Sequence, residues 1–208
     1  MTARRAPSRT RTRGYTAVEL LMSIAVLAIG ISGIIAMQKI TVATNSQSKN
    51  LTIATQVAQA WQAQLALDAV LWNYPAGPVA TSDLDQTEWL KFVGSGWIRP
   101  PFPADVTRRQ FGPAFDGLGN PVALPGDLAQ AHFCTHIRLS WLRNLSDGND
   151  LIRTEVRVFW LREGMGGPIN AGLLCDDVPP ENIGNAGERY HFVYLTSAVK
   201  QNALAAGT

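Results

Sequence analysis

The sequence predicts an α+β fold, with one long N-terminal α-helix acting as anchor and spine and packed on a small antiparallel β-sheet. Three observations carry this. An apolar run from Leu20 to Gln38 holds no charged residue until Lys39. A second helical pattern follows, in which Leu51, Ala54, Val57, Ala58, Trp61, Leu65, Ala69 and Trp72 recur at intervals of three and four. After Ala131 the period changes to two: Phe133, Ile137, Leu139 and Trp141 alternate with Cys134, His136, Arg138 and Ser140.

About 20 apolar residues cross the hydrocarbon core of a bilayer, so Leu20 to Gln38 has the length of a membrane span. The helical pattern continues past it, through a polar bridge from Lys39 to Asn50, to about Asn73. A helix of nearly sixty residues from Tyr15 measures about 88 Å at 1.5 Å per residue, too long for a membrane alone. Its first half is expected to face membrane or partner, and its second half to be the spine of a globular domain. Gln56, Gln59, Gln62 and Gln64 fall largely off the apolar stripe, and Pro75 with Gly77 supplies a stop. Gly30, Ser32 and Gly33 interrupt the bulky surface; an interior glycine costs about 1 kcal/mol relative to alanine, so the pair marks a bend, a weak point or a close neighbour. Glu19 stands at the head of the run. A carboxylate inside a membrane helix costs about 2.5 to 3.5 kcal/mol, less near its end. Glu19 is therefore expected close to the interface or opposite a positive group, such as a neighbour's amino terminus.

Thr81 to Gln86 reads as the start of a short helix running to about Val93, with Ser82 as N-cap and Gly94 as the stop. Asp83, Asp85 and Glu88 fit a cap and an acidic first turn better than a calcium loop, which wants more oxygen ligands and a glycine at its turn. Between Trp97 and Gln130 lie six prolines and four glycines, which argue against regular structure there. That segment carries Trp97, Ile98, Phe102, Phe111 and Phe115, so it is expected to pack on the spine or on a neighbouring subunit. A turn from Asn144 to Asp150 separates the first strand from a second, in which Ile152, Thr154, Val156, Val158 and Trp160 alternate with Arg153, Glu155, Arg157 and Phe159. The two form an antiparallel hairpin whose apolar face can cover the spine. A third strand, Tyr190 to Val199, follows a Gly and Pro rich excursion from Glu163 to Arg189, and the tail from Gln201 to Thr208 is expected to fray.

The formal charge of +2 is dominated by Arg4, Arg5, Arg9, Arg11 and Arg13; without these five arginines the remainder of the chain is at −3. Positive charge before an apolar helix holds that end in the cytoplasm and sends the rest outward. No basic surplus then remains to make nucleic acid an expected partner. Cys134 and Cys175 fall in the part placed outside the cytoplasm, where disulfides persist, and two cysteines permit one intramolecular pair. Closing the 42-residue segment from Cys134 to Cys175 is worth about 4 kcal/mol in the chain-entropy treatment. A zinc site or a catalytic thiol is the alternative, without metal spacing to support it.

No catalytic constellation is apparent, and the chain is expected to be neither an enzyme nor dependent on a metal or cofactor. His132 and His136 lie four apart, about 13 Å along a strand, too far to share one metal; His191 stands alone. There is no Gly-x-Ser-x-Gly elbow, phosphate loop or dinucleotide fingerprint. Arg108 and Arg109 beside Phe111 read as a solvated pair in a loop rather than a contact to a phosphate backbone.

Arg13-Gly-Tyr-Thr-Ala-Val-Glu-Leu-Leu21 resembles the type III signal of type IV prepilins: a short basic leader, a glycine before the cut, an aromatic first mature residue and a glutamate as the fifth. The resemblance covers Gly14 to Gln38, 25 residues of the 208. It implies that prepilin peptidase cleaves between Gly14 and Tyr15, that Tyr15 becomes N-methylated, and that Glu19 serves assembly. Ala36 stands where many major pilins have proline, and Ile29 to Gln38 is closer to minor pilins of the PilV type. The implied organisation is a leader over 1–14, a helix over 15–74 divided into a transmembrane and assembly half (15–38) and an amphipathic spine (39–74), and a periplasmic or extracellular domain over 75–208. The implied life of the chain begins in the inner membrane, single-pass with a cytoplasmic N-terminus, and ends in a pilus on the cell surface, at or near its tip. Its partners would be prepilin peptidase, other major and minor pilins, and the inner-membrane assembly platform. A pseudopilin of type II secretion shares this N-terminal logic and is separated by genomic neighbours. A signal-anchored periplasmic binding protein or enzyme is the alternative of another class.

Overall fold

The computed structural model describes residues 14–73, 84–102, 111–122, 130–144, 150–162, 175, 180–183 and 187–201. Arg4, Arg5, Arg9, Arg11 and Arg13, the expected stop at Pro75 and Gly77, the expected Ser82 cap, Arg108 and Arg109, and positions 145–149 of the expected turn lie outside these residues. One long N-terminal helix packs on a small antiparallel sheet, the α+β architecture expected. The chain divides into two compact units, residues 1–47 and 48–208, and helix α1 (Ala17–Asn73) contributes to both.

In the first unit every described residue from Gly14 to Asn45 is exposed. In the second, α1 buries a stripe of Ile53, Ala54, Val57, Ala58, Trp61, Leu65, Ala69 and Trp72. Leu51, expected to begin this stripe, is instead 51% exposed, because the core is reached only from Ile53 onward. Alanines at 54, 58 and 69 keep the helix close to the sheet, while Trp61, Leu65 and Trp72 fill the space between; each such large side chain is worth about 1.5 to 3 kcal/mol on burial.

The sheet consists of β1 (Trp97–Ile98), β2 (Ala114–Phe115), β3 (Phe133–Arg143), β4 (Leu151–Leu161) and β5 (Tyr190–Lys200). Its order is β1-β3-β4-β5, with β2 also pairing to β3, and all pairings are antiparallel. The three long strands lie where alternation puts them. Phe133, Ile137, Leu139, Ile152, Val156, Val158, Trp160 and Val199 belong to the core that contains the α1 stripe. A second core, formed by Ala114, Val122, Ala131, Cys134, Phe159, Cys175, Ile183 and Tyr190, covers part of the opposite face.

Two expectations are corrected. The segment from Trp97 to Gln130 does contain regular structure, since Trp97–Ile98 pairs with Arg138 and Ile137, and Ala114–Phe115 with Cys134 and Phe133. These two short strands occupy the outer edge of β3 in turn, between prolines that would break anything longer. The expected helix ending near Val93 is instead two short 3-10 helices, Leu84–Gln86 and Leu90–Phe92. Asp68 on α1 gives the reason: its buried carboxylate accepts the backbone N–H groups of Glu88, Trp89 and Leu90 at 2.8, 2.7 and 2.9 Å. Donors held by a side chain of another element are lost to a continuous α-helix. Gly94 does end the segment, with φ +87°, and its N–H bonds the carbonyl of Leu139 at 2.9 Å.

Candidate functional site

Gly14, Tyr15 and Thr16 lead directly into α1, and Tyr15 is 89% exposed. Thr16 and Glu19 cap each other. The Thr16 N–H and hydroxyl both bond Glu19 Oε2, at 3.0 and 3.2 Å, and the Glu19 N–H bonds the Thr16 hydroxyl at 3.3 Å. This is a capping box, which satisfies donors that a helix start leaves open and places negative charge at the positive end of the dipole. Glu19 therefore has a partner within its own chain. The signal was available as Thr-x-x-Glu before an apolar run, and sequence reasoning overlooked it.

Beyond Glu19, Leu20, Leu21, Met22, Ile24, Val26, Leu27, Ile29, Ile31, Ile34, Ile35 and Met37 are all exposed. A helix apolar all round and uncovered by its own fold is long and apolar enough to cross a membrane. Its hydroxyls are satisfied within the helix: Ser23 bonds the carbonyl of Glu19, Ser32 that of Ile29, Thr41 that of Met37 and Thr44 that of Ile40. Nothing stands within 4 Å of a Cβ placed on Gly30 or Gly33, so both notches are open to a neighbour.

In the second unit Cys134 and Cys175 form a disulfide with Cα atoms 5.5 Å apart, inside the second core. Beside it lies a polar cluster, at strand positions that alternate with the apolar ones. Arg157 is buried; its Nη2 donates to His136 Nδ1 at 2.8 Å and to the carbonyl of Pro180 at 2.6 Å. Its guanidinium lies 4.3 Å from the ring centroid of Trp97, which Arg138 also approaches at 4.8 Å. Because an arginine can only donate, His136 accepts at Nδ1 and carries its proton on Nε2. Burial, with Arg157 and Arg99 adding repulsion, pushes His136 from 6.5 down to about 3. Burial likewise pulls Arg157 below its ordinary value, opposed by its hydrogen bond with Tyr194. Glu155 sits between Arg138, whose Nε bonds it at 2.6 Å, and Arg153 at 3.0 Å. The Arg138 bond holds the carboxyl of Glu155 below its usual range against the effect of burial.

His132 is exposed while His136 is buried, so the pair differs in surroundings as well as position. Among the described residues, no group of three or more His, Cys, Asp or Glu side chains is placed to share a metal ion. Comparisons of the chain with family models, with curated proteins and with solved structures returned no match.

Proposed function

We propose that the protein is a pilin-like assembly subunit, closest in kind to minor type IV pilins of the PilV type, that primes or joins a pilus through its N-terminal helix, at or near the tip. The observation that carries this is one continuous helix with two uses. Its N-terminal part is uncharged and exposed from Leu20 to Gln38 behind a capped Glu19, and its C-terminal part is the buried spine of a small sheet domain. A signal anchor alone needs neither the carboxylate nor the continuity. In this reading prepilin peptidase removes residues 1–14 and Tyr15 is methylated. The helix then holds the subunit in the inner membrane until the assembly platform passes it among other pilin helices, and no turnover of a substrate is involved.

Mass spectrometry of the mature N-terminus tests the processing: a chain beginning at methylated Tyr15 supports the reading, and an intact leader or a cut beyond Gln38 overturns it. Glu19→Ala should still be cleaved yet be depleted from sheared filaments. Glu19→Gln separates the two duties of the carboxylate, because glutamine can complete the capping box but carries no charge. Wild-type incorporation of Glu19→Ala would remove the assembly role.

A further inference from the structure

The two edges of the sheet differ. The outer edge of β3 is occupied by β1 and β2. Among the described residues β5 pairs with β4 alone, in an unbroken register from Tyr190 to Lys200. Sheet edges are ordinarily blunted by bulges, proline, charge or brevity, since unpaired backbone groups are a template for another strand. β5 is 11 residues long, contains no proline and carries its one formal charge at the last position, Lys200. Tyr194, Thr196, Ser197 and Ala198 are exposed, so this stretch of the edge is uncovered.

The face beside that edge is charged in a specific way. Register places Arg153 opposite Ala198, Glu155 opposite Thr196 and Arg157 opposite Tyr194. Ala198 is too small to screen Arg153, whose side chain is 44% exposed. Adjacent strands are about 4.8 Å apart, so a strand added to β5 lies about 10 Å from β4. An arginine reaching over alanine and a carboxylate reaching back together span that distance. Arg138 and Arg153 share Glu155, which leaves a net positive charge on this side of the sheet.

We propose that the open edge of β5 receives an extended segment of a partner protein, which adds to the sheet and places an aspartate or glutamate beside Ala198, within reach of Arg153. Main-chain hydrogen bonds supply affinity in such strand addition, and side chains on one face supply specificity. A nucleic acid suits the surface less well. On this face Arg138 and Arg153 are both bound to one carboxylate and Lys200 stands apart at the end of β5, whereas a strand of phosphates is held by neutralising several charges in a row.

The full-length chain in detergent micelles would be titrated with three synthetic heptapeptides of alternating threonine and valine: one with a central glutamate, one with a central lysine, and the glutamate peptide with alternate amides N-methylated. The glutamate peptide should bind at least about fivefold tighter than the lysine peptide, and the N-methylated peptide should not bind. Arg153→Gln should reduce the preference to under about twofold while leaving binding in place, and Ala198→Glu should reverse it. Both variants leave the β5 backbone intact, and circular dichroism verifies their folding. Equal binding of the N-methylated peptide, no binding of any peptide at about 1 mM, or tighter binding of an oligothymidylate would overturn the proposal. So would a self-association, seen in sedimentation, that Ala198→Glu abolishes, because the occupant would then be a second copy of the chain.

Discussion

His136 and Asp68 are buried polar side chains whose neighbours decide what they contribute. The unfolded chain takes up a proton at His136 below pH 6.5, while the folded chain resists it down to about 3. The stabilisation is therefore complete above pH 6.5 and is lost as pH falls through that window, at up to about 1.4 kcal/mol per pH unit. Between pH 7 and pH 5 the chain should lose about 2 kcal/mol, read as a shift in its urea midpoint in micelles. His136→Gln keeps an acceptor for Arg157 but does not titrate, so its midpoint should be nearly flat over that range. Glu155 also loses stability as pH falls, but below its ordinary 4.5, outside this comparison. An equal pH dependence in wild type and His136→Gln would show that another group is responsible. At Asp68 three N–H groups rest on one carboxylate. Asp68→Ala should cost about 3 to 5 kcal/mol, and Asp68→Asn, which keeps one acceptor oxygen, clearly less. Hydrogen exchange at Glu88, Trp89 and Leu90 should accelerate first in both variants; unchanged protection there would mean the loss lies elsewhere.

Elements differ in how far they depend on distant partners, and this governs which of them the sequence reveals. α1 and the three long strands have periods that follow from their own burial, so the stripe from Ala54 to Trp72 and the alternations in β3, β4 and β5 were legible. β1 and β2 are two residues each and have no period; they are strands because β3 offers an edge, as the pairing of Trp97 with Arg138 shows. The 3-10 pair at 84–92 is shaped by Asp68, a residue that helical spacing alone does not mark as a cap for another segment. Gln62 falls off the apolar stripe, yet its side chain reaches the carbonyls of Thr154 and Leu195 and accepts from the Thr154 hydroxyl at 2.7 Å, fastening α1 to both strands. At the start of α1 the box formed by Thr16 and Glu19 is local and can be tested by itself. Thr16→Val should cost about 1 kcal/mol and fray the first turn, seen as faster amide exchange over residues 17–20, and Thr16→Ser should restore protection. If Thr16→Val exchanges like wild type, the membrane or a neighbour, rather than the box, orders that turn.

For the molecule as a whole, the part least legible in sequence was that the sheet is covered on part of its second face as well as on the spine side. Alternation assigns Cys134, His136, Arg157 and Phe159 to a face opposite the spine, and such faces are ordinarily solvated. Here that face carries a core of its own, into which the disulfide fastens Cys175, and burial of Arg157 and His136 follows from it. The two cysteines were paired correctly from their count and expected compartment, but neither shows what the bond holds down. Its main effect should be on this second layer. Replacing both cysteines by serine should lower stability by up to about 4 kcal/mol, the closure entropy of the intervening segment. The loss should appear first in hydrogen exchange of residues around Phe159 and Tyr190, while the core around Trp61 and Ile137 keeps its protection. Reductant should bring the wild-type denaturation midpoint down to that of the double variant and leave the variant unmoved. Uniform loss of protection across both cores would show that the layers unfold together, and an unchanged midpoint would show that packing around Cys175, rather than the bond, holds the second layer in place.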